Sequence, residues 1–206
     1  MSPKKVDKEK KKQAILMSAI RVFAEKGVHN TKIADLALAA GIGKGTIYEY
    51  FRSRDEIFIE AFNFILRDME TRLKAEIAIP EEPETKLKSM TNIVFSSLDQ
   101  FSGDMANLFI DIWHEGIRSK SGPGGGLIDL GQLYEDIRLE YKQVIDEGIQ
   151  SGEFRKIDSR MAASTILAAV DGLILQWILN PEAVDLHSAN VKIMDLFLNG
   201  IKRHEE

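Results

Sequence analysis

Cysteine is missing from all 206 residues. That excludes disulfides, thiolate metal sites and a cysteine nucleophile, and it fits a reducing compartment. No uninterrupted apolar run reaches the ~18 residues that span a bilayer. The longest approach, Met161 to Leu179, is broken by Ser164, Thr165, Asp171, Gly172 and Gln176. The basic N-terminus, "MSPKKVDKEKKKQ", is not followed by the apolar core of a signal peptide. A cytoplasmic protein without a membrane partner is the expectation. Catalytic and metal patterns are absent too. The four histidines (His29, His114, His187, His204) are scattered and make no metal set. "HEGIR" lacks the second histidine of H-E-x-x-H, because position 118 is Arg. No G-x-S-x-G elbow occurs. The expectation is therefore no enzyme, no metal and no cofactor. No segment carries the alternation of a strand.

What the chain does carry is helical periodicity. Ile15, Leu16, Ala19, Ile20 and Phe23 form one apolar face, and Gly27 stops that helix with Lys26 in its last turn. Asn30 or Thr31 is placed to cap a short second helix with Ile33, Leu36 and Ala37 inward. "AAGIG" breaks it, and a third short helix should run from Lys44 to about Phe51. Ser53 is the expected cap of a long helix to about Ile79, with Asp55 and Glu56 in the favoured first turn. Further helices are expected over 84–101, 104–118, 127–150 with Gly152 at its end, and 158–180 capped by Asp158 or Ser159, and the last one capped by Ser188. "SKSGPGGG" reads as a loop. The fold class is all-α with about nine helices. The stretch 158–180 is so apolar that it must be buried on most sides, in a core or against another chain.

Charge divides the chain. Residues 1–54 hold 12 Lys+Arg against 5 Asp+Glu, while the whole chain is −5. A basic end on an acidic protein suits a nucleic-acid partner or an anionic membrane, and also a merely solvated lysine tail. "GIGKGTIYEYF" (41–51) discriminates further. It is not a phosphate loop: Gly45 follows Lys44 where Ser or Thr is required, Leu38 stands where the first glycine belongs, and a helix precedes it rather than a strand. It fits a helix-turn-helix, in which small Ala40 and Gly41 allow a tight turn and Ile47 and Phe51 point inward. Lys44, Gly45, Thr46, Tyr48 and Tyr50 are then left for the exposed end and flank, where ammonium and hydroxyl groups can bond phosphate oxygens.

The ordered set "TKIADLALAAGIGKGTIYEYFRSRDEIF" resembles the DNA-binding signature of the tetracycline-repressor (TetR) family, strongly over residues 11–58. "AAVDGLILQWI" is similar to the family's penultimate helix. Lys32, Gly43 and Glu49 are mild departures. The resemblance implies a basic tail (1–10), a helix-turn-helix domain (11–55, motif about 32–51) and an effector-binding and dimerisation domain (56–206). It implies DNA contacts from Thr31, Lys32, Lys44, Gly45, Thr46, Tyr48, Tyr50 and Arg54. Lysines 4, 5, 8, 10, 11 and 12 either track the duplex or form a solvated tail. An effector pocket is implied around Phe62, Ile65, Met69, Phe95, Leu98, Phe109, Trp113, His114, Tyr134, Ile137, Tyr141, Asp171 and Gln176. A homodimer interface is implied through Ala163, Leu167, Val170, Ile174, Trp177, Val191, Met194, Phe197, Leu198 and Ile201. The implied function is a repressor that binds a palindromic operator as a homodimer and is released by a small, largely apolar effector. Fatty acyl-thioesters, drugs and aromatic metabolites all suit the middle section.

Overall fold

The structure of the chain, a computed structural model, describes the backbone of residues 3–99, 105–119 and 129–203. Side chains are described within those segments except at 3–6, 97–99, 105–107, 118, 119 and 187. Nine helices occur among the described residues: α1 (Pro3–Lys26), α2 (Ile33–Ala39), α3 (Lys44–Tyr48), α4 (Arg54–Ile77), α5 (Pro83–Asp99), α6 (Met105–Ser119), α7 (Leu130–Ser151), α8 (Ser159–Leu179) and α9 (Leu186–Ile201). No strand accompanies them there; Phe154 and Lys202 make one isolated antiparallel bridge. The all-α expectation holds. Most of the "SKSGPGGG" stretch and the end of the helix expected over 84–101 lie outside the described residues.

The backbone folds into two compact units. Met1–Asp68 with Gln100–Leu130 form one, and Met69–Asp99 with Gly131–Glu206 form the other. Residues 54–68 of α4 count with the first unit and 69–77 with the second. Helix α6 belongs with the unit that holds α1, α2 and α3.

In the first unit the apolar face of α1 is the organising surface. Ile15, Leu16, Ala19, Ile20 and Phe23 are buried, as are Leu36, Ala37, Ile47, Phe51, Ile57, Phe58 and Ala61 from α2, the α3 segment and α4. Phe23 and Phe58 meet edge to face at 5.7 Å. Gly27 ends α1 as expected, with φ +74° and its N–H donating to the Phe23 carbonyl at 2.8 Å. The capping of α2 differs from expectation. Lys32 is the cap residue, and the Asp35 carboxylate turns back to accept from the Lys32 N–H at 2.8 Å. Asn30 and Thr31 instead serve the end of α1: Asn30 donates to the Lys26 carbonyl and Thr31 to the Gly27 carbonyl. Ser53 does cap α4, accepting from the Glu56 N–H at 3.0 Å, while Glu56 accepts from the Arg52 N–H. The Ser53 hydroxyl thus satisfies one otherwise orphaned helical donor, while Glu56 ties down the residue ahead of the cap. Helix α1 also begins earlier than the sequence suggests, so residues 3–10 are helical rather than a separate tail.

The second unit is built on α5, α7, α8 and α9. Tyr141 is fully buried, its hydroxyl 3.2 Å from Thr91 Oγ1, and Thr91 donates to the Leu87 carbonyl at 2.9 Å. Burial raises the Tyr141 pKa well above the ordinary 10.0. Gly148 leaves room for the Phe154 ring; a Cβ there would lie 2.1 Å from Phe154 Cδ2. Asp158 caps α8, accepting from the Met161 N–H at 3.0 Å. By length and composition α8 could cross a bilayer, yet Ala162, Ala163, Ile166, Leu167, Val170 and Ile174 are buried in the protein's own core. Ser188 does not cap α9, which starts at Leu186; its hydroxyl donates to the Asp185 carbonyl.

Candidate nucleic-acid interface and effector residues

The turn between α2 and α3 is held by local backbone chemistry. Gly41 adopts φ +66°, and the Ile42 N–H reaches back to the Ala37 carbonyl at 3.0 Å. Gly43 is the extended cap of α3, and its carbonyl accepts from Thr46 N–H at 3.0 Å. Ile47 is completely buried and Phe51 nearly so. With that side of the helix anchored, Lys44 and Gly45 are exposed at its leading end and Tyr48 is 57% exposed. A Cβ at Gly43 or Gly45 would meet nothing within 4 Å, so neither glycine serves internal packing. Both leave the backbone open to a surface laid against it. Lys32 is exposed at the start of α2, Thr46 is half-buried and Glu49 is exposed.

Three of the residues assigned to DNA are engaged within the protein. Thr31 is 2% exposed and its hydroxyl donates to the Gly27 carbonyl at 2.7 Å, so it has no hydroxyl to offer a phosphate. Arg54 binds the Asp55 carboxylate through Nε and Nη2, at 3.0 and 2.9 Å, and the His29 carbonyl through Nη1 at 3.2 Å. Tyr50 is half-buried, with Lys8 Nζ over its ring at 5.7 Å. Lys12 Nζ lies 5.4 Å from the Phe51 ring and 3.2 Å from Glu60. These long side chains pin the start of α1 to the segment after α3. Lys26 pairs with Asp35 at 3.0 Å. The backbone N–H of Lys32 first, and then Lys26, hold the Asp35 carboxyl below the ordinary carboxylate range.

The residues assigned to the effector divide between the units. Phe62, Ile65, Phe109, Trp113 and His114 lie in the first. Phe62 is buried; Phe109 and Trp113 are half-buried, with ring centres 6.4 Å apart. His114 is exposed and lies 6.2 Å from the His29 ring, on the side of α6 away from Phe109 and Trp113. Met69, Phe95, Tyr134, Ile137, Tyr141, Asp171 and Gln176 lie in the second unit. Gln176 is exposed and Tyr141 is locked in the core. Leu98 falls outside the described side chains. Asp171 is half-buried in the apolar α8. Burial raises its carboxyl pKa, opposed by a hydrogen bond from Tyr134. Nearby, Arg138 donates to Ser164 at 2.9 Å and Arg160 grips Glu135 at 2.6 and 2.8 Å, so a polar seam joins α7 to α8.

The residues assigned to a homodimer are mostly interior. Ala163, Leu167, Val170, Ile174, Met194, Leu198 and Ile201 are buried within one protomer. Trp177 and Phe197 are half-buried and Val191 is 58% exposed. The outward face of α8 is a different stripe: Met161, Thr165, Ala168, Gly172, Leu175 and Leu179, spaced alternately by four and three. Met161 is 64%, Leu175 43% and Leu179 75% exposed, and Leu196 of α9 is 77% exposed. The α8 sequence is apolar all round, so periodicity alone could not separate its inner face from its outer one.

A buried-sided recognition helix with an open basic tip, on an otherwise all-helical chain, defines a helix-turn-helix DNA-binding regulator. Residues 15–61 match the family described as "Bacterial regulatory proteins, tetR family", and residues 83–201 match "BetI-type transcriptional repressor, C-terminal". The chain belongs to the TetR family of transcriptional regulators and is not an enzyme. It is 28% identical to the fatty acid metabolism regulator protein of Bacillus subtilis (strain 168), over 94% of this chain and 97% of that protein. It is similar to a solved structure of the regulator FadR from Bacillus subtilis in complex with stearoyl-CoA, at TM-score 0.70 and 25% identity, covering 92% of this chain and 98% of that one. A regulator from Saccharomonospora viridis solved in complex with choline shares the fold at TM-score 0.79 and 22% identity, covering 95% of this chain and 100% of that one.

Proposed function

We propose that the protein is a cytoplasmic repressor that grips a near-palindromic operator as a two-fold dimer and lets go when a long-chain acyl-thioester binds. The single observation that carries the DNA reading is the tip of α3, with Lys44 and Gly45 exposed while Ile47 and Phe51 are buried. One such tip reads only a few base pairs, so two related by a two-fold axis are needed for a specific site. The outward stripe of α8, with Leu196 of α9, supplies an apolar face for that pairing. The acyl effector is supported by the similarity, over nearly the whole length of both chains, to a fatty acid metabolism regulator. The apolar and aromatic side chains of Phe62, Ile65, Phe109 and Trp113 also suit it. Release follows if the ligand binds more tightly to a state whose two tips no longer match successive grooves.

One observation favours a second reading. Asp171 is a half-buried carboxyl in an apolar helix, which a small ammonium ligand would pair. The test uses a duplex selected from a random pool by the protein itself, titrated by fluorescence anisotropy. Under the first reading stearoyl-CoA at micromolar levels lowers duplex affinity, while free stearate has a weaker effect and choline none. The reverse order supports the ammonium reading, and failure to select any duplex at low salt overturns the DNA reading itself.

A further inference from the structure

The turn between α1 and α2 is clasped from two sides within the first unit. Beyond the end of α1 the Val28 N–H has no helical acceptor. The acceptor comes from 83 residues away: Asp111 Oδ2 of α6 takes it at 2.7 Å. Gly27, at φ +74°, turns the chain so that the Val28 N–H faces this oxygen. A carboxylate accepting a backbone N–H is the stronger, charge-assisted kind of hydrogen bond. From the other side, Arg54 holds the His29 carbonyl. Four residues on from Val28 the chain enters α2 at Lys32, and α2 packs on α3. Fixing Val28 therefore fixes where the recognition helix is launched.

Helix α6 has a second face. Asp111, His114 and Glu115 stand at i, i+3 and i+4 beside the turn, with Val28, His29, Arg54, Asp55 and Phe58 completing a cleft. Phe109 and Trp113 stand two residues to either side of Asp111, which on a helix is nearly opposite. We infer that Asp111 is a positioning residue that couples α6 to the operator-reading helix, so that whatever displaces α6 through its aromatic face shifts α2 and α3 through the Val28 N–H. This rests on the DNA-binding reading above, and it holds whichever effector acts.

Coupling is reciprocal, so DNA must report back on α6. The test is hydrogen exchange by mass spectrometry on the full-length protein, with and without the selected duplex, following peptides that cover 105–117 and 27–32. In the wild type, duplex is expected to slow exchange in 105–117 by about fivefold, the lower end of typical coupling. In Asp111→Ala that response should fall to about twofold or less. Asp111→Asn keeps an oxygen acceptor for Val28 and should retain the response, as should Glu115→Ala. If Asp111→Ala does not fold, Asp111→Ser, too short to reach Val28, takes its place. A wild-type α6 that ignores bound duplex, or an Asp111→Ala protein that responds like the wild type, overturns the inference. Failure to bind any duplex would instead defeat the DNA reading.

Discussion

Lys44 offers the sharpest test of how this protein holds DNA. It is the first residue of α3 and exposed, and the neighbouring Gly45 has open space in front of it. Replacing it by Ala removes one ammonium per protomer. Each phosphate neutralised contributes roughly 0.9 to the slope of log affinity against log salt. At about 0.15 M monovalent salt that term is worth about fivefold in affinity per contact, and about thirtyfold for the two copies in a dimer. Lys44→Ala should therefore flatten the slope by about 1.8 and weaken binding about thirtyfold at that salt. Lys12 provides the internal control, because its ammonium already pairs with Glu60 at 3.2 Å and lies against Phe51. Lys12→Ala should flatten the slope by less than half as much, and Glu60→Gln, which frees that ammonium, should steepen it. The assay is anisotropy of a labelled duplex at several salt concentrations. An unchanged slope in Lys44→Ala, or an equal loss in Lys12→Ala, refutes the reasoning.

Two further outcomes follow from the second unit. Leu175→Glu places a charge in the outward stripe of α8, twice over in the proposed two-fold pair. Like charges brought together at an interface cost several kcal/mol, so the dimer dissociation constant should rise about a hundredfold or more. Sedimentation equilibrium reads this directly, and Leu139→Glu, at a residue 48% exposed on α7, should leave it unchanged; equal behaviour of the two variants counts against the stripe. Asp171→Asn tests the half-buried carboxyl. Burial holds its pKa above 3.8 in the folded chain, so the folded state binds that proton more tightly than the unfolded state does. Its contribution is greatest at low pH and is lost as pH rises from about 4 through the folded value. The stability of Asp171→Asn relative to the wild type should therefore grow over that window, by about 1.4 kcal/mol for each pH unit separating the two values, and then level off. Urea unfolding at fixed protein concentration measures it, and a difference independent of pH contradicts the assignment.

The helices were legible because most of their boundaries are chemical. Gly27, Gly41 and Gly152 all take positive φ, and Ser53 and Asp158 cap the helices they precede. The core side of the recognition helix was legible from the spacing of Ile47 and Phe51, both buried. What escaped depends on partners distant in sequence or on competition between near neighbours. Thr31 looks like a cap, but Asp35 reaches the Lys32 N–H and leaves Thr31 to α1. Arg54 looks like a phosphate ligand until the His29 carbonyl and Asp55 are placed beside it. Asp111 carries no local signal at all, since its acceptor role exists only once α6 lies against the α1–α2 turn.

The bare tip of α3 also bears on how such a regulator changes its target. Because nothing inside the protein crowds positions 43 and 45, new side chains can appear there without disturbing the interior that keeps the helix in place. Descendants of this chain can thus acquire altered operator preferences by single steps at two surface letters, with foldedness left intact while selection sorts the DNA sites.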